Sequence, residues 1–158
     1  MLERLKYKTL WVVWRYDNEA AFLARDHYQV STIQGNLLLN VGIAALFDLA
    51  ITTGETKFDN ANARIGVGDS AAAEAAAQTG LQAAVNTTYK AMAATYPSRA
   101  AQTVTWQSVF ASGDANYAWN EFTIDNGTAA KSLNRKVSSQ GTKVVGQVWT
   151  VNLQITLS

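Results

Sequence analysis

The chain has 158 residues, contains no cysteine, and balances 13 Lys and Arg residues against 12 Asp and Glu residues, for a formal net charge of +1. Its length predicts one domain with a sizeable core. The missing cysteines exclude disulfides, thiolate nucleophiles and Cys-based zinc sites, and the charge balance provides no basic surface for nucleic acid. With one His against five Trp and six Tyr, the composition favours a packing or binding protein over an enzyme.

The N-terminal residues carry no export signal, because charged residues interrupt every apolar run and no small-residue cleavage site follows. The most apolar stretch, residues 37–51, contains Asn40 and Asp48 and is shorter than the ~20 residues that a helix needs to cross a bilayer. We therefore expect a protein that is made in the cytoplasm and works without a membrane.

Residues 1–35 differ from the rest of the chain, with nine charged residues and three of the six Tyr, and are predicted to form an extended N-terminal arm. Within them, residues 8–16 form a β-prone run that would be apolar on both faces of a strand. Such a strand must be covered on both sides, either by its own domain or by another subunit. In the second case the partner-binding residues of the arm would be Tyr7, Leu10, Trp11, Trp14, Arg15, Tyr16 and Phe22.

A helix is predicted over residues 37–52, at the start of a β-rich body that spans residues 36–158. Asn36 offers an N-cap oxygen, apolar positions recur at helical spacing, and Gly54 supplies a C-terminal stop. Gly42 weakens this prediction, because glycine is a poor helix former.

The remainder of the body is predicted to be mainly β, with strands at 63–67, 88–93, 102–111, 117–124 and 145–157. Their spacing favours an antiparallel β-sandwich or barrel, of the jelly-roll or tulip-like kind, over βαβ units. The turn at 112–114 predicts a hairpin over 102–124. The alanine-rich segment 70–78 is predicted to form a short helix that packing must hold, because isolated short helices are marginal.

No catalytic residue, cofactor or metal site is predicted from the motifs. The Gly-x-Gly-x-x-Ala motif at 66–71 lacks the acidic residue about 20 positions on that a dinucleotide-binding turn requires. The adjacent Asp26 and His27 have no nucleophile beside them. The oxygen-rich residues 59–62 lack the spacing of a calcium loop and its closing glutamate.

The aromatic residues Tyr117, Trp119 and Phe122 leave two interpretations open. A β-sandwich core uses such residues, and so do oligomer interfaces, because large rings bury much area at low entropic cost. We therefore treat these three residues as core or as a candidate oligomer interface.

Several segments together resemble a family of small virion proteins of tailed bacteriophages. The similarity extends over nearly all of the chain from about residue 36, and residues 8–22 resemble the family's N-terminal leader. The segments that carry it are KTLWVVWRYDNEAAF (8–22), FDNANARIGVGDS (58–70), QTGLQAA (78–84), YKAM and TYP (89–97), GDANYAWNEF (113–122) and LNRKVSSQGTK with GQVWTVNLQITLS (133–158).

The resemblance implies a non-enzymatic capsid decoration, or cement, protein on the outer capsid surface of the virion. Such a protein would bind and bridge neighbouring major capsid proteins, self-associate as a homotrimer and stabilise the expanded head, with no cofactor and no nucleic-acid partner. The alternative that the resemblance leaves open is a structural protein associated with the tail fibre or baseplate, or one that binds a host glycan.

Overall fold

Strands make up most of the regular structure in the computed structural model, which describes residues 6–128 and 131–158. In chain order the elements are β1 (Tyr7–Tyr16), α1 (Glu19–Ala24), β2 (Gln29–Gln34), β3 (Leu37–Leu38), α2 (Asn40–Ile51), β4 (Arg64–Gly68), β5 (Thr87–Ala91), β6 (Ser98–Ala100), β7 (Thr103–Phe110), β8 (Glu121–Asp125), β9 (Ser132–Val137) and β10 (Val148–Leu157).

The strands form two five-stranded sheets. Sheet 1 has the order β2-β1-β10-β7-β6 and sheet 2 has the order β3-β9-β8-β4-β5, with every neighbouring pair antiparallel. One large apolar core joins residues from both sheets. The predicted class, a mainly β antiparallel sandwich with a helix in the N-terminal half, is confirmed.

Interlocking aromatic rings fill the centre of the core. The ring of Trp119 lies 4.8 Å from those of Phe110 and Trp149 in edge-on geometry, and the ring of Trp11 lies 5.7 Å from that of Phe122. Edge-on contacts of this kind add to the stabilisation that the buried area already provides. Aromatic residues that the sequence makes conspicuous thus occupy the centre of the core.

The N-terminal strand β1 lies inside sheet 1. It pairs with β10 along its full length, from Tyr7–Leu157 to Tyr16–Val148, and with β2 on its other side. The prediction of an extended arm separate from the body is therefore wrong for residues 7–34, and no domain boundary lies at residue 35. Its own domain covers the inner face of the run, where Trp11 and Val13 are fully buried, whereas Leu10 and Trp14 on the outer face remain partly exposed. Residues 1–5 of the predicted arm lie outside the described residues.

Helix α2 confirms the predicted helix but begins at Asn40, after the short strand β3. Asn36 does not cap it. The Asn36 amide oxygen instead accepts a hydrogen bond from the Tyr7 hydroxyl at 2.7 Å, and Leu39 occupies the N-cap position without a side-chain hydrogen bond. No helix within the described ranges has both the length and the apolar character to span a bilayer.

Close packing against β9 explains why α2 contains a glycine, Gly42. A Cβ atom at this position would overlap the backbone of Leu133 in β9. The missing side chain allows α2 to approach sheet 2 closely, so the glycine costs helix propensity but permits packing.

Two local predictions for the body are wrong. Strands β7 and β8 do not form a hairpin, because β7 pairs in sheet 1 and β8 pairs in sheet 2, so the turn at 112–114 carries the chain between sheets. Residues 70–78 contain no helix. The Arg135 guanidinium donates hydrogen bonds to the carbonyl oxygens of Ala72 and Ala73, and the Gln78 side-chain amide also donates to the carbonyl oxygen of Ala73. These side-chain donors take the place of the backbone N–H groups that a helix would provide.

Candidate functional site

Three of the predicted binding residues belong to the core. Trp11, Trp119 and Phe122 are fully buried between the sheets. The assignment of Trp11 to a partner surface, and of Trp119 and Phe122 to an oligomer interface, is therefore wrong for this fold, because exposing these rings would require the sandwich to open. Tyr117 is partly buried, and its hydroxyl lies 3.1 Å from the Val67 carbonyl oxygen and 3.0 Å from the Thr88 hydroxyl.

Arg15 is a buried structural cation. Its guanidinium carbon lies 4.6 Å above the ring of Trp149, and its nitrogens donate to the Ser31 hydroxyl at 2.7 Å and to the Gln140 carbonyl oxygen at 2.8 Å. Burial lowers the pKa of Arg15 from its usual value. These contacts tie β1 to β2 and to the loop before β10, so Arg15 does not face a partner.

The other predicted binding residues are partly exposed, except Tyr16, which is buried at 8% exposure. By the strand alternation of β1, Leu10, Trp14 and Tyr16 point to the outer face of sheet 1, opposite to Trp11 and Arg15. The ring of Phe22 in α1 packs edge-on against Tyr16 at 5.3 Å. Tyr7 lies instead near α2, and burial raises its pKa to about 12.

The outer face of sheet 1 carries a concave site that we call the aromatic groove. Its volume is about 750 Å3, and its walls and floor include Trp14, Tyr16, Phe22, Tyr96, Gln107 and Thr150. Three of these were predicted partner-binding residues. Nothing near the other three in the sequence indicated this site. The pairing of β1 with β10 and of β10 with β7 brings Thr150 and Gln107 there, and the loop before β6 brings Tyr96.

A second site, which we call the α2 surface, is formed by the outward side of α2. Leu46, Phe47 and Ile51 are 45%, 66% and 79% exposed. Beside them, an apolar groove of about 660 Å3 separates α2 from Val104, Trp106 and Leu157 of the sandwich. The sequence does contain a signal for this surface: Asn40 and Asp48 are the only polar side chains in α2, too few to cover the solvent-facing side of a surface helix.

The glycine motif of β4 serves packing. A Cβ at Gly68 would overlap the Glu121 carboxylate, and one at Gly66 would lie 2.6 Å from the ring of Tyr89. Glu121 is fully buried, with its Oε2 2.7 Å from Nη2 of Arg135, and it accepts backbone hydrogen bonds from Gln82 and Ala83. The two glycines therefore leave room for a buried ion pair and an aromatic ring.

Lys143 is a further fully buried charged residue. Its ammonium donates to the carbonyl oxygen of Ala111 at 2.7 Å and to the Asn116 side-chain oxygen at 3.0 Å. Burial lowers the pKa of Lys143 to about 8. These hydrogen bonds hold the loop at residues 111–116, which connects the two sheets. Lys143 therefore has a structural role.

Metal ligation has no support in residues 6–128 and 131–158, where no three His, Asp or Glu side chains lie close enough to share an ion. In the oxygen-rich loop at 59–62, Asp59 accepts hydrogen bonds from the backbone and side chain of Asn62, at 3.2 and 2.7 Å. Asn60 donates to the carbonyl oxygens of Ala93 and Tyr96. The polar groups of this loop therefore bind one another and the neighbouring segment.

Comparisons of the chain with protein-family models, with curated proteins and with solved structures found no match.

Proposed function

We propose that this chain is a structural virion protein of a tailed bacteriophage, a capsid decoration protein. It binds the outer capsid surface as a homotrimer, bridges neighbouring major capsid proteins and stabilises the expanded head. The proposal combines the sequence resemblance with one structural observation, the exposed α2 surface, and it requires no catalysis and no cofactor.

The α2 surface supports a role in protein association. A helix that is apolar on all sides is normally buried, and contiguous exposed apolar patches mark sites where proteins meet. Phe47 and Ile51 lie one turn apart on the exposed side of α2, next to the groove that contains Trp106. Covering these side chains would remove the largest apolar residues of α2 from water.

We assign the α2 surface to contacts between copies of the chain. A protein that accumulates in many copies before it reaches the capsid gains from covering its apolar residues in the free state, because exposed patches cause aggregation. Contacts with the major capsid protein then use other faces of the sandwich. Three copies arranged around one axis match a local three-fold position of a capsid lattice.

The stabilisation of the head follows from mass action. A protein that binds only the expanded shell stabilises it by RT ln(1 + [L]/Kd) at each site, and the effect is repeated at every site. Rigid sandwich bodies suit this role, because little conformational freedom is lost when they bind.

The test uses a double variant, Phe47→Ser with Ile51→Ser, and a matched control, Val85→Ser, which alters an apolar residue of similar exposure outside α2. Light scattering is expected to show a trimer for the wild type and the control, and a monomer for the double variant. Binding to expanded, undecorated heads is expected to fall with trimer formation. A double variant that stays trimeric and decorates heads normally would contradict the assignment of the α2 surface.

The location of the protein in intact virions tests the function itself. Electron microscopy of virions labelled through this chain is expected to place it on the head surface. Labelling at the tail would contradict the decoration role and would support the tail-associated alternative, whatever the oligomeric state.

A further inference from the structure

We propose that the aromatic groove on the outer face of sheet 1 is a binding site for a short oligosaccharide, which is neutral or carries a carboxylate. This site is separate from the α2 surface, with which it shares no residue. The inference does not depend on where the protein lies in a virion.

The shape and lining of the groove fit a sugar. Small-molecule sites measure ~300–1,000 Å3 and combine apolar walls with a few placed polar groups, and this groove, at about 750 Å3, lies within that range. Trp14 and Tyr96 line it from strand β1 and from the loop before β6. Aromatic faces of this kind accept the C–H face of a pyranose ring, while the hydroxyl groups at the ring edge need polar partners.

The floor of the groove provides such a partner. Thr150 is only 5% exposed, and its hydroxyl has no hydrogen-bond partner among the residues that the structure describes. A buried hydroxyl without a partner costs free energy, so its presence calls for a reason. The hydroxyl oxygen itself is closed off from solvent, so a ligand hydroxyl in the groove would satisfy it once the Thr150 side chain rotates towards the groove. Gln107 lies on the adjacent strand, where its amide is held by donation to Asn152 at 2.8 Å.

The walls are held in place before any ligand arrives. Tyr16 is fixed by edge-on packing with Phe22 at 5.3 Å and with His27 at 6.2 Å. On the opposite wall, Asn60 donates to the carbonyl oxygens of Ala93 and Tyr96 and so anchors the loop that carries Tyr96. Thr95 in that loop has a left-handed backbone, with φ of 73°, a conformation that non-glycine residues adopt only when their surroundings impose it. Preformed walls reduce the entropy that binding must overcome.

The charges around the groove determine the class of sugar. Arg25 and His27 line it, and none of its described lining residues is acidic. A cationic ligand therefore finds no counter-charge, whereas a carboxylate would meet the Arg25 guanidinium. This favours neutral and acidic sugars over amino sugars with a free amine.

The experiment titrates the intact protein with cellotriose, maltotriose, N,N′,N″-triacetylchitotriose and tri-galacturonic acid. Saturation-transfer NMR detects binding, and the indole N–H signal of Trp14 reports its place. At least one trisaccharide is expected to bind in the micromolar to millimolar range and to shift that signal. The first three probes are neutral and the last is acidic, so the panel also separates the two sugar classes.

Three variants locate the site. Trp14→Ala is expected to abolish binding, and Thr150→Val to weaken it about three- to tenfold, as the loss of one neutral hydrogen bond predicts. Because the Thr150 hydroxyl has no protein partner, Thr150→Val is expected to leave the unfolding midpoint unchanged or raised, which separates a ligand role from a structural one. Tyr28→Ala, at an exposed aromatic residue that does not line the groove, is the matched control and is expected to bind normally.

The proposal fails if none of the four trisaccharides binds at millimolar concentration. It also fails if a bound trisaccharide leaves the Trp14 signal unchanged and binds the Trp14→Ala variant equally well. Neither result affects the decoration role, which is tested by oligomeric state and location in the virion.

Discussion

The carboxylate of Glu121 in β8 and the guanidinium of Arg135 in β9 form an ion pair inside the protein, with 2.7 Å between Oε2 and Nη2 and neither side chain exposed to solvent. The pair connects sheet 2 to two loops. Glu121 accepts the backbone N–H groups of Gln82 and Ala83, and Arg135 donates to the carbonyl oxygen of Ala72. The ion pair therefore holds the loops at residues 72 and 82–83 against strands β8 and β9.

Removing one member of this pair is expected to be severe. Arg135→Met leaves the Glu121 carboxylate buried without its counter-charge, which typically costs about 3–5 kcal/mol of unfolding free energy. The double variant Arg135→Met with Glu121→Gln removes both charges and keeps an acceptor for the loop, so it is expected to be more stable than the single variant. Urea unfolding measures both. A single variant as stable as the wild type would show that the pair carries no stability.

Lys143 is expected to make stability rise with pH. Its pKa is about 8 in the folded protein and 10.5 for an ordinary lysine, so between these values the unfolded chain binds more protons and the free energy of unfolding increases with pH. Tyr7, whose pKa is raised to about 12, acts in the opposite direction above pH 10, because the folded state then holds the extra proton.

Urea unfolding at intervals from pH 7 to pH 10 checks this prediction. The wild type is expected to gain stability above pH 8, and Lys143→Met is expected to lose that rise, although it is less stable at every pH because the oxygens of Ala111 and Asn116 lose their donor. Equal slopes in the two proteins would show that Lys143 does not titrate in this range.

Gly42→Ala is expected to destabilise the protein, against the direction of helix propensity. In an exposed helix, replacing glycine with alanine would raise the free energy of unfolding by about 1 kcal/mol. Here the new Cβ would overlap the backbone of Leu133, and overpacking of this kind lowers the free energy of unfolding by about 1–3 kcal/mol or more. Gly54→Ala, with no atom within 4 Å of the new Cβ, is the control and is expected to be near neutral. The thermal unfolding midpoints of the two variants rank them.

Arg15→Lys tests the placement of Arg15 in the body. A lysine cannot bond Ser31 and Gln140 at once while covering the ring of Trp149, so we expect a loss of about 1–2 kcal/mol in unfolding free energy. Arg99→Lys, at an exposed arginine, is expected to change little. If Arg15→Lys left stability intact and lowered capsid binding alone, Arg15 would be a partner contact after all.

Local sequence patterns predicted where strands and helices lie better than they predicted which strands pair with one another. The apolar residues of β1 correctly predicted a strand, but nothing near residues 7–16 indicated that its hydrogen-bonded neighbour is β10, more than 130 positions away. The turn after Phe110 is present as predicted. It leads into the other sheet and not into a hairpin, because β8 pairs with β4 and β9. The Ala-rich segment failed as a helix because Arg135 competes for its carbonyl oxygens, a contact that propensity cannot anticipate.

The candidate sites followed the same rule. The α2 surface was available from sequence, since it depends only on the missing polar stripe of one helix. The aromatic groove depends on register: Trp14 faces Thr150 only because β1 and β10 pair as they do, and a shift of one residue would turn Trp14 inward.

The central place of β10 in sheet 1 has a consequence for biosynthesis. Strand β1 leaves the ribosome well before its main partner, because residues 148–157 follow it by more than 130 positions. Until then, a strand that is apolar on both faces remains without its neighbour and depends on chaperones or transient contacts for solubility. Ribosomes that stall before residue 148 would therefore release chains in which β1 lacks β10 and that are prone to aggregate.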